Sequence, residues 1–400
     1  MKKISTLARS LYHLNLRKIF SHFGIHKILK EHLAKEQSSV TKLSKPIKPR
    51  KTEKAIRYIH IGYPKSASTA LQRGFFGRHQ QLLHLGCGND SVKGYWDDHG
   101  YIDKHVNMAL EIDLRFKNDL SYDQAQVKGI FENYFLQSDS NKMVSAVGIS
   151  NENICFNWHG GIDTTTKAKR LFGIFESGTK ILMVVRRQTD LIRSLYKETV
   201  RFGYNGSFDD YLKYIWQYQD RNFLSDLNYD RVFNLYAHLF GRENIKVFFF
   251  EEMRENSKQF LKRISNELEL DDRITHVESE YNEQLTDREL AIKLELNRRF
   301  PHSFESGFLH PFDTHRFIPY YTDFLREPRV DNEHYIDYHF RNSLCDLSKK
   351  LAPILDIDDI NLSWESNYGG LIKDLLNASN QNFKTLTGDS LLEKYNYLSL

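Results

Sequence analysis

Residues 56–72 hold a loop whose residue types attract anions. An apolar, strand-favouring run at 56–61 is ended by Gly62 and Pro64, and a sequence that favours helix resumes at Thr69. The loop residues that carry the chemistry are Lys65, Ser66, Ala67, Ser68 and Thr69. Because helix-start N–H groups, an ammonium and hydroxyls all bind anions, this strand, loop and helix predict a phosphate or sulfate site.

Two other interpretations of this loop are a nucleotide-binding Walker A loop and an ordinary turn. It is not a Walker A loop, since there the lysine follows the glycines and leads directly into the helix, whereas Lys65 precedes Ser66 to Thr69. An ordinary turn in which Ser and Thr only cap the helix stays open.

A second stretch pairs an arginine with a serine at an informative interval. The strand predicted at 180–185 runs directly into Arg186, and a helix is predicted from Asp190 to Phe202. Ser194 follows Arg186 by eight residues, about two helical turns, so guanidinium and hydroxyl would reach one phosphate beside the helix. The alternative is an arginine that pairs with a carboxylate.

The surrounding elements predict an α/β fold with a mainly parallel sheet flanked by helices. Apolar runs predict strands at 56–61, 143–149, 180–185 and 245–250. Helices are predicted between them and near 208–219, 229–240, 257–269, 286–299 and 333–352, with 84–121 as a long loop region. Lys65 and Arg186 both follow strand ends, so we expect them to face one crevice at the carboxyl edge.

Composition is that of a globular chain with a basic arm. Residues 1–54 carry fourteen Lys and Arg against three Asp and Glu, and the rest of the chain is net acidic. Three scattered cysteines without C-x-x-C spacing predict neither a disulfide framework nor a zinc site. We expect a basic arm and linker at 1–54, an α/β domain at 55–355 and an extension of unknown role at 356–400.

The arm lacks the features of a secretory signal, because basic residues interrupt its apolar positions. Residues 1–35 have helical spacing with interleaved basic residues, which predicts either a helix on an anionic membrane surface or one docked on the domain. Together with the reducing compartment that the cysteines favour, this predicts a cytoplasmic protein, peripheral to the inner face of the membrane.

The two stretches together resemble the sulfotransferases that use 3′-phosphoadenosine 5′-phosphosulfate (PAPS). In that family P-K-[ST]-G-T-[ST] binds the 5′-phosphosulfate, and R-x-P-x-x-x-x-x-S after a strand binds the 3′-phosphate. Pro64 to Thr69 is similar to the first, and Arg186 with Ser194 is similar to the second. A later strand with an acidic end, at 250–253, adds to a resemblance that spans roughly residues 55–270.

The sequence departs from the family pattern at two positions. Ala67 stands where the family usually has glycine, and an alanine at positive φ would carry strain of about 1 kcal/mol. Gln188 stands where the family usually has proline. The glycine-rich adenine loop of the cytosolic small-molecule enzymes has no counterpart, so the resemblance favours the bacterial-type carbohydrate branch.

The resemblance implies sulfuryl transfer from PAPS to a hydroxyl on a glycan, with 3′,5′-adenosine bisphosphate as product, no metal and no nucleic-acid partner. Lys65, Ser66, Ala67, Ser68, Thr69, Arg186 and Ser194 would bind the donor, and Lys65 would also be catalytic. Two alternatives remain: a nucleotide-dependent kinase, for which Glu251 would be the metal carboxylate, and a non-catalytic protein that binds polyanions or membranes through its arm.

The resemblance also implies a catalytic base, which is a His or Glu in this family. Glu152 directly follows the strand at 143–149 and would stand in the shared crevice, so it is the first candidate. His159 is the alternative, and His79 and His84 are further options. Glu152 would otherwise cap a loop or pair with an arginine.

Overall fold

The computed structural model describes residues 49–86, 101–157, 162–201, 203–277, 285–300 and 332–400, with side chains in the last range described from residue 342. These residues belong to one compact unit, 49–400. The helix expected at 1–35 and the candidate base His159 lie outside the described residues.

A parallel sheet forms the centre of this unit, as predicted. In the described part of the chain its five strands are β1 (Ile56–His60), β2 (Leu82–His84), β3 (Ala146–Ser150), β4 (Lys180–Val185) and β5 (Ile245–Phe249). They lie in the order β2-β3-β1-β4-β5, and every pairing is parallel. β1 is therefore central, with β3 and β4 as its two neighbours.

Helices cover both faces of the sheet. The described helices are α1 (Ser68–Leu71), α2 (Lys104–Met108), α3 (Gln124–Ser140), α4 (Thr164–Phe175), α5 (Gln188–Arg201), α6 (Phe208–Gln217), α7 (Tyr229–Phe240), α8 (Phe250–Glu255), α9 (Ser257–Glu267), α10 (Asp287–Arg299), α11 (Asn332–Leu351), α12 (Asn367–Thr387) and α13 (Leu391–Lys394). α1 continues into a π-helical turn at Gln72–Phe76, and α2 continues into another at Ala109–Asp113.

Alternate residues of each strand enter different cores, because successive side chains of a strand point to opposite faces. Ile59, Ile181 and Met183 belong to the larger core, to which α3, α4, α5 and α7 contribute. Tyr58 and Leu182 belong to a smaller core with α1 and α9. This burial on both faces explains why the strands read as apolar runs in the sequence.

Most elements lie where the sequence predicts them. The strand at 180–185 has the predicted bounds, the strand predicted at 143–149 runs from 146 to 150, and α7 ends at Gly241 as expected. A capping box of Ser207 and Asp210 opens α6, which lies within the helix predicted near 208–219. The long loop predicted at 84–121 was wrong, since α2 and its π turn occupy residues 104–113. Within them, Val106, Ala109 and Leu110 pack into the larger core, a tertiary contact that their irregular spacing did not reveal.

The C-terminal segment, residues 357–400, packs on the same core. Trp364, Ile372, Phe383 and Tyr397 are buried among residues of the larger core. Among the described helices none is long and apolar enough to cross a membrane.

Candidate functional site

Lys65 and Arg186 lie at the same edge of the sheet because β1 and β4 are parallel neighbours. β1 ends at His60 and its chain continues beside β4, with Ile61 and Tyr63 donating backbone hydrogen bonds to Leu182 and Val184. We name residues 61–67 the β1 loop. It therefore ends close to the point where β4 ends and Arg186 begins.

The β1 loop bends through two residues in the left-handed region, Lys65 at φ 62° and Ala67 at φ 65°. Ala67 immediately precedes α1, so it occupies the position at which the resemblance led us to expect strain. The carbonyl of Tyr63 closes the turn, accepting hydrogen bonds from the Ser66 N–H at 3.2 Å and the Ser68 hydroxyl at 3.0 Å. The side chain of Ser66 is fully buried, and its hydroxyl has no hydrogen-bond partner in the described structure.

Arg186 joins the two predicted anion-binding stretches. Its Nη1 donates a hydrogen bond to the carbonyl oxygen of Lys65, and its guanidinium lies 4.7 Å from the centre of the Phe250 ring. The Tyr229 hydroxyl donates to the Arg186 carbonyl at 2.6 Å. Burial lowers the pKa of Arg186, and the nearby carboxylates of Asp190 and Glu251 oppose that shift. The guanidinium is thus positioned by contacts on several sides.

Glu198 is the partner of Lys65 that sequence analysis missed. Its carboxylate lies 3.3 Å from the Lys65 ammonium and 2.8 Å from Arg201, and the Lys65 and Glu198 side chains are each only 16% exposed. Burial would raise the pKa of Glu198, but Lys65 and Arg201 outweigh burial and hold it below its ordinary value. Glu198 therefore forms an ion pair with Lys65, the residue that the resemblance implies to be catalytic.

Ser194 lies on α5, one turn before Glu198, as the predicted helix requires. Its side chain is partly buried, and its hydroxyl forms no hydrogen bond with a described residue. The four-residue spacing of Ser194 and Glu198 is the signal that would have pointed to Glu198 in the sequence.

Glu152 lies two residues past β3 in a short 3-10 turn, Glu152–Ile154, and is partly buried. Within the described residues its carboxylate has no hydrogen-bond or ion-pair partner. Its role as base stays a prediction. His79 and His84 are both buried, and His79 Nε2 hydrogen-bonds the Asp271 carbonyl at 3.1 Å.

Asn151, beside Glu152, belongs to a buried polar network that the sequence did not suggest. Its side-chain amide donates to the Glu111 carboxylate at 2.7 Å, and Tyr101 and Arg115 also donate to that carboxylate. Burial of Glu111 opposes its ionisation, yet Arg115 and the hydrogen bonds keep its pKa below the ordinary value. This network connects the π turn after α2 to the carboxyl end of β3.

Glu251, the carboxylate that a kinase would require for a metal, already binds protein groups. One oxygen accepts the Arg187 N–H at 3.0 Å, and the other accepts the Tyr397 hydroxyl at 2.8 Å. Among the described residues, no group of three or more His, Cys, Asp or Glu is arranged to hold a metal ion.

Three solved structures overlap with this chain at low similarity. A sulfotransferase from Alicyclobacillus acidocaldarius is 16% identical, with a TM-score of 0.38, over 68% of this chain and 99% of the other. The sulfotransferase domain from the curacin biosynthetic pathway is 13% identical, with a TM-score of 0.34, over 81% and 98%. Mouse sulfotransferase SULT7A1 complexed with PAP is 12% identical, with a TM-score of 0.30, over 81% and 88%. No protein-family profile and no curated protein matches the sequence. Since TM-scores below 0.5 do not establish relationship, the functional argument rests on the residues of the site.

Proposed function

We propose that this chain is a sulfotransferase that moves a sulfuryl group from PAPS to an acceptor hydroxyl on a carbohydrate. The observation that carries the proposal is the hydrogen bond from Arg186 to the Lys65 carbonyl. It brings together the two stretches that separately resemble 5′-phosphosulfate and 3′-phosphate motifs. Neither stretch alone would distinguish a nucleotide bisphosphate from any other anion.

The described residues fit a donor with two anionic ends. The β1 loop offers the Lys65 ammonium and the unpartnered Ser66 hydroxyl, both suited to the sulfated end. Arg186 and Ser194 offer a guanidinium and a hydroxyl for the 3′-phosphate. Ser68 is already bound to the Tyr63 carbonyl, so we assign it to loop geometry as well as to donor contact.

Sulfuryl transfer requires two things of the protein: a positive charge beside the leaving oxygen and a base that removes the acceptor proton. In sulfuryl transfer the bond between sulfur and the bridging phosphate oxygen breaks while a bond to the acceptor oxygen forms. Negative charge then develops on the bridging oxygen, and we assign its stabilisation to the Lys65 ammonium. Removal of the acceptor proton is assigned to Glu152, with His159 as the alternative.

The kinase alternative receives no support from the site. The order of residues in the β1 loop argues against it, since Lys65 precedes Ser66 to Thr69 instead of following glycines, and each oxygen of Glu251 already accepts one protein hydrogen bond. Glu251 instead fixes the backbone at Arg187.

The carbohydrate acceptor, a cytoplasmic location and contact of residues 1–35 with an anionic membrane surface belong to the same proposal. Their support is the resemblance for the acceptor and the charge of the arm for the surface.

Calorimetric titration tests the proposal with 3′,5′-adenosine bisphosphate, AMP and ATP as ligands. We expect the bisphosphate to bind at least tenfold more tightly than AMP, since only it carries a group for Arg186. Arg186→Ala should remove most of that preference, while Arg193→Ala, a change of the same kind on α5, should retain it. Equal affinity for AMP and the bisphosphate, or Mg²⁺-dependent preference for ATP, would overturn the assignment.

A further inference from the structure

We propose that the C-terminal segment, residues 357–400, positions Arg186 for binding of the donor's 3′-phosphate through two buried contacts. This inference rests on the proposed function and assigns a role to a segment for which the sequence suggested none. The segment supplies Asn380 and Tyr397, neither of which is required to touch the nucleotide.

The first contact is a pair of side-chain amides. Gln188 begins α5, two residues after Arg186, and its side chain is fully buried. Its Nε2 donates to Asn380 Oδ1 at 2.7 Å, and Asn380 Nδ2 donates back to Gln188 Oε1 at 3.1 Å. The two residues are 192 positions apart in the chain.

This amide pair is fully satisfied, which makes each side chain dependent on the other. Gln188 Nε2 also donates to the Leu227 carbonyl at 3.4 Å. Asn380 Nδ2 also donates to the Tyr397 carbonyl at 2.7 Å. Buried amides are rarely left without partners, because each missing hydrogen bond costs the desolvation of the group. The Gln188 side chain is therefore held by Asn380 of α12 together with the Leu227 carbonyl.

The second contact reaches the neighbour of Arg186 through Glu251. The Tyr397 hydroxyl donates to one oxygen of Glu251, whose other oxygen accepts the backbone N–H of Arg187. Phe250, the neighbour of Glu251, lies beneath the Arg186 guanidinium. Tyr397 thus acts through Glu251 on the backbone next to Arg186, and Glu251 is itself next to the ring that contacts the guanidinium.

Gln188 stands where the resembled motif usually has proline, and this difference explains why the start of α5 depends on these contacts. Proline at the first helical position presets φ and needs no hydrogen-bond partner for its side chain. Gln188 has neither property, so the start of α5 needs an external partner. Asn380 provides that partner in this chain.

The test compares bisphosphate and AMP binding in full-length variants by calorimetry. Asn380→Leu and Tyr397→Phe should each weaken 3′,5′-adenosine bisphosphate binding roughly tenfold and leave AMP binding within about twofold of wild type. AMP should be spared because it has no 3′-phosphate for Arg186. The matched controls are Asn382→Leu, whose amide binds Asp230, and Tyr395→Phe, whose hydroxyl binds the exposed Glu255. Both controls should behave as wild type.

A rescue variant separates positioning from general destabilisation. Adding Gln188→Pro to Asn380→Leu should restore bisphosphate affinity to within about threefold of wild type, since proline presets the helix start without an amide partner. If Asn380→Leu does not fold, Tyr397→Phe, which removes a single oxygen, decides the question.

Two results would overturn this inference: unchanged bisphosphate affinity in folded Tyr397→Phe, or equal losses for bisphosphate and AMP. Failure of the proposed function looks different, because the wild-type protein itself would then show no preference for the bisphosphate.

Discussion

Glu198 controls how much of the Lys65 charge is available to a ligand. Its carboxylate lies 3.3 Å from the ammonium that we assign to the leaving oxygen, and it also pairs with Arg201. An anion beside an anion-binding group lowers the affinity for a second anion, because their charges repel at short range. The ion pair also holds a long, flexible lysine side chain in one place.

Glu198→Gln should therefore tighten binding of 3′,5′-adenosine bisphosphate roughly three- to tenfold, as measured by calorimetry. The control is Glu295→Gln, which changes a half-exposed carboxylate on α10 that pairs with Arg298. Weaker binding in Glu198→Gln would mean that holding Lys65 in position matters more than the repulsion.

Glu152 has the features expected of a base that awaits its substrate. It lies just past β3, is partly buried, and within the described residues is not engaged by any cation. A carboxylate committed to an ion pair would be a poorer proton acceptor.

Glu152→Gln keeps the shape and removes the basicity of this side chain. We expect sulfuryl transfer to fall by roughly 10²-fold or more while bisphosphate binding is unchanged. Turnover with labelled PAPS and a panel of acceptors measures sulfuryl transfer, and calorimetry measures bisphosphate binding. If Glu152→Gln keeps nearly wild-type transfer activity while His159→Ala is inactive, the catalytic base is His159 and not Glu152.

At the level of elements, α5 and the β1 loop together carry the residues of the proposed site. α5 carries Gln188, Ser194 and Glu198, while the loop carries Lys65 and Ser66. The loop reaches its shape by placing Lys65 and Ala67 in the left-handed region, where a Cβ is disfavoured. Strain is thus located next to the proposed catalytic lysine.

Ala67→Gly should relieve part of that strain. We expect an increase in the free energy of unfolding of up to about 1 kcal/mol, seen as a higher denaturant midpoint with an unchanged slope. The control is Ala168→Gly in α4, a buried helical position, which should destabilise the protein. A lower midpoint for Ala67→Gly would show that the alanine methyl group contributes packing that exceeds the strain.

At the level of the whole molecule, the sheet encloses two neutral histidines near its carboxyl edge. His60 ends β1 and bonds Ser150 through Nδ1, and His84 ends β2 and bonds Tyr58 in the same way, both at 2.6 Å. Phe76 lies between them. Burial lowers the pKa of each to about 3, and for His84 the neighbouring His60 adds to the effect.

These histidines make the fold sensitive to acid. A folded-state pKa below the unfolded value of 6.5 contributes stability that is complete above pH 6.5 and is lost as pH falls toward 3. Each histidine contributes a slope of about 1.4 kcal/mol per pH unit in that window. His84→Gln should reduce the slope by about that amount in denaturant titrations between about pH 6.5 and 5, because it removes one such group. The control variant is His105→Gln, which removes an exposed histidine on α2. If the free energy of unfolding falls with pH at the same slope in His84→Gln and wild type, His84 is not one of the groups that make the fold sensitive to acid.

The sequence by itself determined the features that depend on neighbouring residues. A strand that runs into Lys65 and another that runs into Arg186 are visible because apolar runs and turn residues act over a few positions. The parallel order of strands then brings the two residues to one edge. Ser194 is likewise visible, since it lies only eight residues after Arg186, on the helix that follows the strand.

Only the tertiary structure decided which distant side chains complete the site. The Gln188 and Asn380 amides meet although 192 positions separate them, and the Glu111 network joins β3 to a segment that appeared to be loop. Glu251, expected as the acidic end of a strand, proves to hold the Arg187 backbone together with Tyr397. Such pairings depend on how helices pack around the sheet. Burial of apolar surface drives that packing and is non-directional, so local spacing does not reveal which distant polar groups meet.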